Sequence, residues 1–132
     1  MARIVHIGIK VDDLDGASKF YQQVFGFVPT RTERVRDHTS VHLSDGTFDL
    51  SLIQYDSEES AEALASGPGP CIHHFAIEVD DVERYMTEIR KYGCEIITDP
   101  GVIPVKFRAP GGTLAEVVPV SRYLKDKRLK TT

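Results

Sequence analysis

Two histidines and one glutamate in this chain could together bind a metal ion. His6 begins the segment 6–13, and His74 begins the closely similar segment 74–81. Glu116 lies among aliphatic residues, where an ionised carboxylate needs a partner because moving an unpaired charge out of water is costly. Two imidazoles and one carboxylate are a ligand set of non-haem Fe(II), and the set also suits zinc, nickel, cobalt or manganese. These residues favour a site for one divalent metal ion.

The two histidine segments are copies of one pattern, 68 positions apart. Each alternates aliphatic residues with others, which is typical of a strand with one aliphatic face and one face that carries the histidine. Each ends in two aspartates that can cap a following helix. Because His74 is the counterpart of His6, we expect these two side chains to face the same cleft. His73 should then point the other way.

The rest of each copy continues the same plan, so the sequence predicts two modules of β-α-β-β-β order. Apolar residues at three-to-four spacing predict a helix in each module, and Gly26 and Gly93 are expected to end these helices. Module one covers about residues 3–54, an acidic linker 55–70, module two 71–120 and a basic tail 121–132.

The linker and the tail are expected to contribute little to the site. The linker is rich in small and acidic residues, so it is predicted to be solvated, with a short helix over residues 58–65 as the alternative. The tail has no clear apolar periodicity and is predicted to be a mobile surface segment or a loosely docked helix.

Length and composition limit what the protein can be. The 132 residues are one domain by size, and a net charge of −4 argues against a nucleic-acid partner. No apolar run approaches the ~20 residues that a membrane helix needs. The sequence starts without a signal-peptide pattern. Cys71 and Cys94 form no CxxC pair and no zinc-knuckle spacing, so they are expected to be buried thiols and not a disulfide. We therefore expect a cytoplasmic protein.

A module of about 50 residues is too small to bury a good core alone, which favours two modules in one sheet system or partners exchanged between chains. The predicted fold class is α+β, with two βαβββ modules forming an open, curved mixed β-sheet cleft and with helices outside.

Three of the polar residues have alternative interpretations. Glu116 could pair with Arg31 or Arg108 instead of a metal. His38 and His42 share one strand face and are expected at the surface, although one could act as a base if it faced the cleft.

Several motifs together make residues 3–120 resemble the vicinal oxygen chelate superfamily, which includes glyoxalase I, bleomycin-resistance proteins, methylmalonyl-CoA epimerase and extradiol dioxygenases. The motifs are residues 6–13, the aromatic groups at 20–21 and 25–27, residues 73–81 and residues 109–116. The resemblance implies paired modules around an open cleft, and a divalent metal that chelates vicinal oxygens of a substrate. It implies His6, His74 and Glu116 as three metal ligands.

The chain departs from the glyoxalase pattern at the fourth ligand. That ligand, often Glu or Gln in such relatives, comes from the last strand of module one. Asp49 is the repeat counterpart of Glu116 and is the tentative fourth ligand, although Asp is shorter; Ser51 is the other candidate. The usual Asp-Pro-Asp-Gly turn is also replaced, here by residues 109–112. A vacant fourth position would be closer to the dioxygenase pattern.

The resemblance implies a metal-dependent enzyme, a lyase or isomerase of the lactoylglutathione lyase type, that acts on a small vicinal-oxygen substrate. Glu116 would then be both ligand and proton carrier. The alternatives are an Fe(II) extradiol-type dioxygenase, a metal-free ligand-sequestering protein of the bleomycin-resistance type, and a relative without activity. The expected partners are a small-molecule substrate and a second copy of the chain in a homodimer, with no nucleic acid and no membrane.

Overall fold

The computed structural model describes residues 2–123, which form seven strands and three helices. In chain order the elements are β1 (Arg3–Lys10), α1 (Leu14–Phe25), β2 (Val28–Val35), β3 (His38–Ser44), β4 (Asp49–Tyr55), α2 (Ala61–Leu64), β5 (Cys71–Val79), α3 (Val82–Lys91), β6 (Val105–Arg108) and β7 (Leu114–Pro119). No helix within this part of the chain is long and apolar enough to span a membrane.

The seven strands form one mixed sheet in the order β2-β3-β4-β1-β5-β7-β6. Within module one β1 is parallel to β4, and within module two β5 is parallel to β7. The antiparallel pairing of β1 with β5 joins the two modules in the middle of the sheet. Because β2 and β6 do not pair with each other, the sheet stays open. The predicted fold class is therefore confirmed.

Both long helices begin and end where the sequence predicts. The Asp13 carboxylate accepts the Gly16 N–H at the start of α1, and the Asp81 carboxylate accepts the Arg84 N–H at the start of α3. Gly26 ends α1 in the left-handed conformation, with a φ of 73° that only glycine adopts freely.

The larger of the two buried apolar clusters lies on the side of the sheet that the helices cover. Helix α3 places Met86 against β5, β6 and β7, whose outward side chains complete this core: Val79, Phe107, Ala115 and Val117. Helix α1 lies in the same way against β3 and β4. With the helices outside, the inner face of the sheet is free to carry polar side chains.

Module two differs from its prediction after the helix. The sequence predicts a strand over residues 94–97, but the structure has only one bridge there, between Ile96 and Phe107. The partner strand β6 begins at Val105, because Pro104 has no N–H to donate to a ladder. The paired segment is therefore too short for a full strand.

Two β-bulges interrupt the β1–β5 pairing, and each lies directly before one of the two repeated histidines. Val5 is the extra residue on β1, since Ile4 and His6 oppose consecutive residues of β5. His73 is the extra residue on β5, in the same relation to His74. A bulge bends its strand and breaks strict alternation. The His73 ring therefore lies beside the His74 ring, with the two Nδ1 atoms 2.8 Å apart, whereas strict alternation predicts that it points the other way.

The linker is not a solvated connector, which corrects the favoured prediction. Helix α2 buries Ala63 completely, and the ammonium group of buried Lys10 donates to the carbonyls of Ala63 and Gly67 at 2.6 and 2.7 Å. Without these donors two carbonyls would stay unsatisfied near the core, at a cost of about 1–3 kcal/mol each. Lys10 therefore anchors α2 to the end of β1.

Candidate metal centre

The strand register brings the predicted ligands onto the inner face of the sheet. His6 pairs with Ala76 of β5, and Ala76 pairs with Glu116 of β7. On the other side His6 pairs with Asp49 of β4, while His74 lies opposite Gly8. Because paired residues project from the same side of a sheet, these four side chains point into one space. All four are buried.

His6, His74 and Glu116 converge at one point. The two Nε2 atoms of His6 and His74 are 3.1 Å apart. Glu116 reaches both rings, with Oε1 3.7 Å from the His6 Nε2 and Oε2 3.5 Å from the His74 Nε2. Three residues that are far apart in the chain thus present one nitrogen or carboxylate group each to a common centre.

Asp49 fixes which nitrogen of His6 faces this centre. Its Oδ2 lies 2.5 Å from the His6 Nδ1. Burial lowers the pKa of His6 below its ordinary value, so the ring is neutral at pH 7 and carries one hydrogen. Burial acts to raise the pKa of Asp49, but hydrogen bonds from His42 and His6 outweigh this effect and lower it. The charged carboxylate accepts a hydrogen bond from the Nδ1–H group, so the lone pair on Nε2 is left free.

Glu116 is charged despite its burial. Burial acts to raise its pKa, but His74 and Lys106 hold the pKa well below the usual range. The Lys106 Nζ lies 3.2 Å from Oε2, and the Tyr123 hydroxyl donates to Oε1 at 2.6 Å. Burial and the nearby Glu116 raise the pKa of Tyr123, so that its hydroxyl keeps the hydrogen that it donates.

The donor set at the centre fits a cation. The His6 Nε2 carries a lone pair, and Glu116 is a carboxylate. The His74 Nε2 is the third atom of the group and lies near both. Electron-pair donors packed this closely repel one another unless a positive charge lies among them. Two imidazole nitrogens and one carboxylate oxygen are a usual set for divalent zinc, iron, cobalt, nickel or manganese.

Asp49 has a different place from the other three residues. It contacts the far nitrogen of His6 and also His42, whose Nδ1 lies 2.9 Å from Oδ2. His6, His42 and Asp49 form a second group of possible ligands that shares His6 with the first. His42 is buried and also reaches Glu33, with its Nε2 3.3 Å from Oε1. The expectation that His42 lies at the surface is therefore wrong.

Gly8 makes room for His74. A Cβ atom built on Gly8 would lie 2.5 Å from the His74 Cε1 and 2.9 Å from its Nε2. Any larger residue at this position would collide with the ring. The glycine in the repeated segment thus has a steric role at the centre, one that cannot be derived from strand alternation.

One side of the centre opens into a cavity of about 400 Å³. This volume is within the range of small-molecule sites. His6, His74 and Glu116 lie in its wall together with Ser51, the other fourth-ligand candidate. The remaining charged side chains of the wall are of both signs: Arg31, Arg36, Lys106 and Arg122, and Glu33, Glu62 and Asp99.

The basic groups of the cavity differ in how fully they are paired. Arg31 lies 2.7 Å from Glu33, and Arg36 lies 3.1 Å from Glu62. The buried Nε atoms of Arg31 and Arg122 have no hydrogen-bond partner within the described residues, although the Arg31 Nε has an ion-pair partner in Glu33. Of the two alternative partners considered for Glu116, Arg31 pairs with Glu33 and Arg108 donates to the Gly112 carbonyl. Glu116 instead contacts Lys106 and Tyr123.

Tyr123 was not predicted as part of the site. Its ring stacks on His6 with centroids 4.0 Å apart and covers the centre from above. The sequence pattern predicts a mobile or loosely docked tail here, because a single aromatic residue after the last strand has no periodicity to reveal it. Tyr123 is instead buried with Val5, Ala76 and Val118, and the exposed Ser121 donates its N–H to the Glu78 carboxylate. The prediction for the rest of the tail lies outside the described residues.

Comparison with known proteins identifies a family and several relatives. The family model described as Glyoxalase/Bleomycin resistance protein/Dioxygenase superfamily matches residues 3–117. The chain is 26% identical over 129 residues to mitochondrial methylmalonyl-CoA epimerase of Mus musculus, which covers 89% of this chain and 72% of that protein. It is 28% identical over 109 residues to lactoylglutathione lyase GLX1 of Arabidopsis thaliana, covering 79% of this chain but 36% of that protein.

A solved structure is also similar over most of the chain. A variant of Streptomyces coelicolor methylmalonyl-CoA epimerase, in complex with 2-nitronate-propionyl-CoA, superposes with a TM-score of 0.73 and 30% sequence identity. The match covers 90% of this chain and 97% of that one.

Replacing Gly8 by alanine tests the close approach of His74. We expect Gly8→Ala to lower the free energy of unfolding by about 1–3 kcal/mol, because the added methyl group displaces the ring. In a His74→Ala background the same methyl group has space, so the loss should largely disappear. Chemical denaturation of the four proteins in this cycle measures the coupling. Equal losses in both backgrounds would show that the ring is not the obstacle.

Proposed function

This chain belongs to the glyoxalase/bleomycin resistance protein/dioxygenase superfamily, and from this premise we propose that it is a metal-dependent enzyme of the lyase or isomerase type. The reaction class is movement of a proton at a carbon next to a carbonyl group, in a small substrate with two neighbouring oxygens. The observation that carries the proposal is the buried convergence of His6, His74 and Glu116 on one point of a cavity wall.

The proposed ligands are His6, His74 and Glu116, with Asp49 as the tentative fourth. The geometry favours a supporting role for Asp49, because it accepts from the far nitrogen of His6. Such a carboxylate orients the imidazole and strengthens it as a ligand. A divalent ion bound here would supply Lewis acidity that polarises a substrate carbonyl.

Glu116 is proposed to move the proton. As a charged carboxylate in the cavity wall it can accept a proton from a substrate carbon at Oε1 or Oε2 and return it. The Tyr123 hydroxyl donates to Oε1, and the Lys106 ammonium group forms an ion pair with Oε2. These two contacts hold the carboxylate in place, and the ion pair keeps it charged between turnovers. Tyr123 also excludes water from the space above His6.

The substrate is proposed to carry a negative charge. The cavity wall contains four basic side chains, and the buried Nε of Arg122 is without a partner among residues 2–123. A buried guanidinium nitrogen gains most from a charged acceptor such as a carboxylate. Arg31 and Arg36 are already paired with acidic residues and are weaker candidates.

The relatives support this reaction class. An epimerase inverts a carbon centre, which requires that a proton leave the carbon and return, and the Lewis acidity of a bound divalent ion would make that removal easier. The named relatives are a methylmalonyl-CoA epimerase and a lactoylglutathione lyase.

Metal analysis tests the ligand assignment. We expect the purified chain to bind about one Co²⁺ or Zn²⁺ per molecule. Loss of an outer-shell partner lowers metal affinity by about 10–100-fold, and we expect Asp49→Asn to have an effect of this size. His6→Ala and Glu116→Ala should lower the affinity by a larger factor. Isothermal titration calorimetry with each ion measures this, and Val102→Ala is the control because Val102 lines the same cavity and has no metal-ligating side-chain atom. A His6→Ala protein that binds as tightly as the parent excludes the proposed ligand set.

Hydrogen exchange in D₂O tests the reaction. The substrates to test are methylmalonyl-CoA and lactoylglutathione, each with a C–H group next to a thioester carbonyl. With the metal-loaded protein we expect the proton NMR signal of this C–H group to disappear. Glu116→Gln should slow the exchange by about 10²–10⁴-fold, because an amide cannot accept the proton. No exchange with either compound, together with O₂ uptake on catechols after anaerobic Fe(II) loading, would instead favour the dioxygenase. Ligand binding without metal would favour a sequestering protein.

The protein is proposed to be a homodimer. Apolar side chains at the end of α1 and the start of β2 are exposed to solvent in the single chain: Phe20, Val24, Phe25 and Val28. Adjacent exposed apolar residues of this kind mark interaction surfaces. Light scattering after gel filtration should give twice the mass of one chain, and Phe25→Glu should convert the dimer to a monomer. A monomeric parent protein contradicts this proposal.

A further inference from the structure

His73 is a buried polar residue to which the proposed reaction assigns no role. Its side chain is 2% exposed and does not line the cavity. It occupies the bulge position whose repeat counterpart on β1 is Val5, an apolar residue. A buried imidazole in place of an aliphatic side chain costs free energy unless its nitrogens are satisfied. Both are satisfied here, and the partners are specific.

The partners of His73 determine where its hydrogen lies. Its Nε2 is 2.7 Å from the carbonyl oxygen of Glu62, which can only accept a hydrogen bond. The hydrogen of neutral His73 is therefore on Nε2, and its Nδ1 is an acceptor. That Nδ1 lies 2.8 Å from the Nδ1 of His74. The contact is a hydrogen bond only if His74 donates from Nδ1.

The tautomer of His73 affects the candidate metal centre through His74. A neutral imidazole with its hydrogen on Nδ1 has a free lone pair on Nε2, the atom that faces His6 and Glu116. The Glu62 carbonyl sets the tautomer of His73, and His73 sets the tautomer and ring orientation of His74. The edge-on contact of the two rings, 85° between their planes, directs the His73 acceptor at the His74 N–H.

We propose that His73 is a positioning residue that holds His74 in the Nδ1–H tautomer, with Nε2 directed at the cation site. The inference deepens the proposed function and rests on it for the identity of the cation. Asp49 has the corresponding position for His6, but it carries a charge, whereas His73 acts as a neutral relay from a backbone carbonyl. A carboxylate in place of His73 would face the Glu62 carbonyl acceptor to acceptor.

The relay also connects the centre to the linker. Glu62 belongs to α2, which Lys10 anchors through the carbonyls of Ala63 and Gly67. The orientation of a proposed ligand therefore depends on a helix that lies outside both modules. A docked linker has in this way a role at the site that a solvated linker could not have.

Nitrogen NMR of the chelator-treated protein tests the tautomer without any metal. In ¹⁵N-histidine-labelled protein at slightly alkaline pH, long-range proton–nitrogen spectra distinguish a protonated from an unprotonated ring nitrogen. We expect His74 to be protonated at Nδ1 and His73 at Nε2. In His73→Leu we expect His74 to lose this single pattern and populate both tautomers. A parent protein with His74 protonated at Nε2 overturns the proposal.

Metal affinity tests the consequence. We expect His73→Leu to weaken Co²⁺ binding by about 10–100-fold in calorimetry and to change the visible Co²⁺ spectrum. His73→Asn should recover most of the affinity, because its Oδ1 can replace the Nδ1 acceptor. Met86→Ala is the control, since it removes buried volume on the outer face and lowers stability without contacting the centre. An unchanged affinity in His73→Leu, or an equal loss in Met86→Ala, overturns the proposal.

The two measurements separate this proposal from the proposed function. If the parent chain binds no metal, the metal-dependent function fails, and the tautomer in the parent protein still decides whether His73 positions His74. If metal binds normally and His74 has the wrong tautomer, the positioning role fails alone. His73→Asn keeps the affinity test usable if His73→Leu does not fold.

Discussion

The antiparallel pairing of β1 with β5 is the constraint on which the rest of the structure depends. It joins the two modules into one sheet and places His6 and His74 within reach of each other. Each strand has one inward and one outward face, so a slip of one residue would turn a histidine out of the cavity. The two bulges, at Val5 and His73, set this register at the positions directly before the histidines.

The repeat in the sequence predicts the backbone well, because each copy carries its own strand alternation, capping aspartate and terminal glycine. The same alternation correctly places His6, His74 and Glu116 on one inner face, since the side-chain period of a strand is two residues. It fails at His73, where a bulge breaks that period. Bulges depend on how two strands meet, and one strand's pattern does not contain that information.

The remaining parts of the site arise from contacts between elements that are distant in the chain. His42 is buried because β3 lies beside β4, where Asp49 and His42 can meet. Tyr123 is buried because the chain turns back over His6 after β7. Lys10 is buried because two carbonyls of the linker need donors. These residues are polar or isolated in sequence, so local patterns favour the surface for each of them.

The two modules share a backbone plan but not a set of side chains. Asp49 and Glu116 are counterparts that differ in length, and Val5 and His73 are counterparts that differ in polarity. A site with true twofold symmetry would offer a bound molecule two equivalent orientations. Here one half presents a carboxylate behind its histidine and the other presents an imidazole, so the two ends of the cavity are chemically distinct. A small molecule bound between them therefore has one preferred orientation, although the backbone around it is almost symmetric.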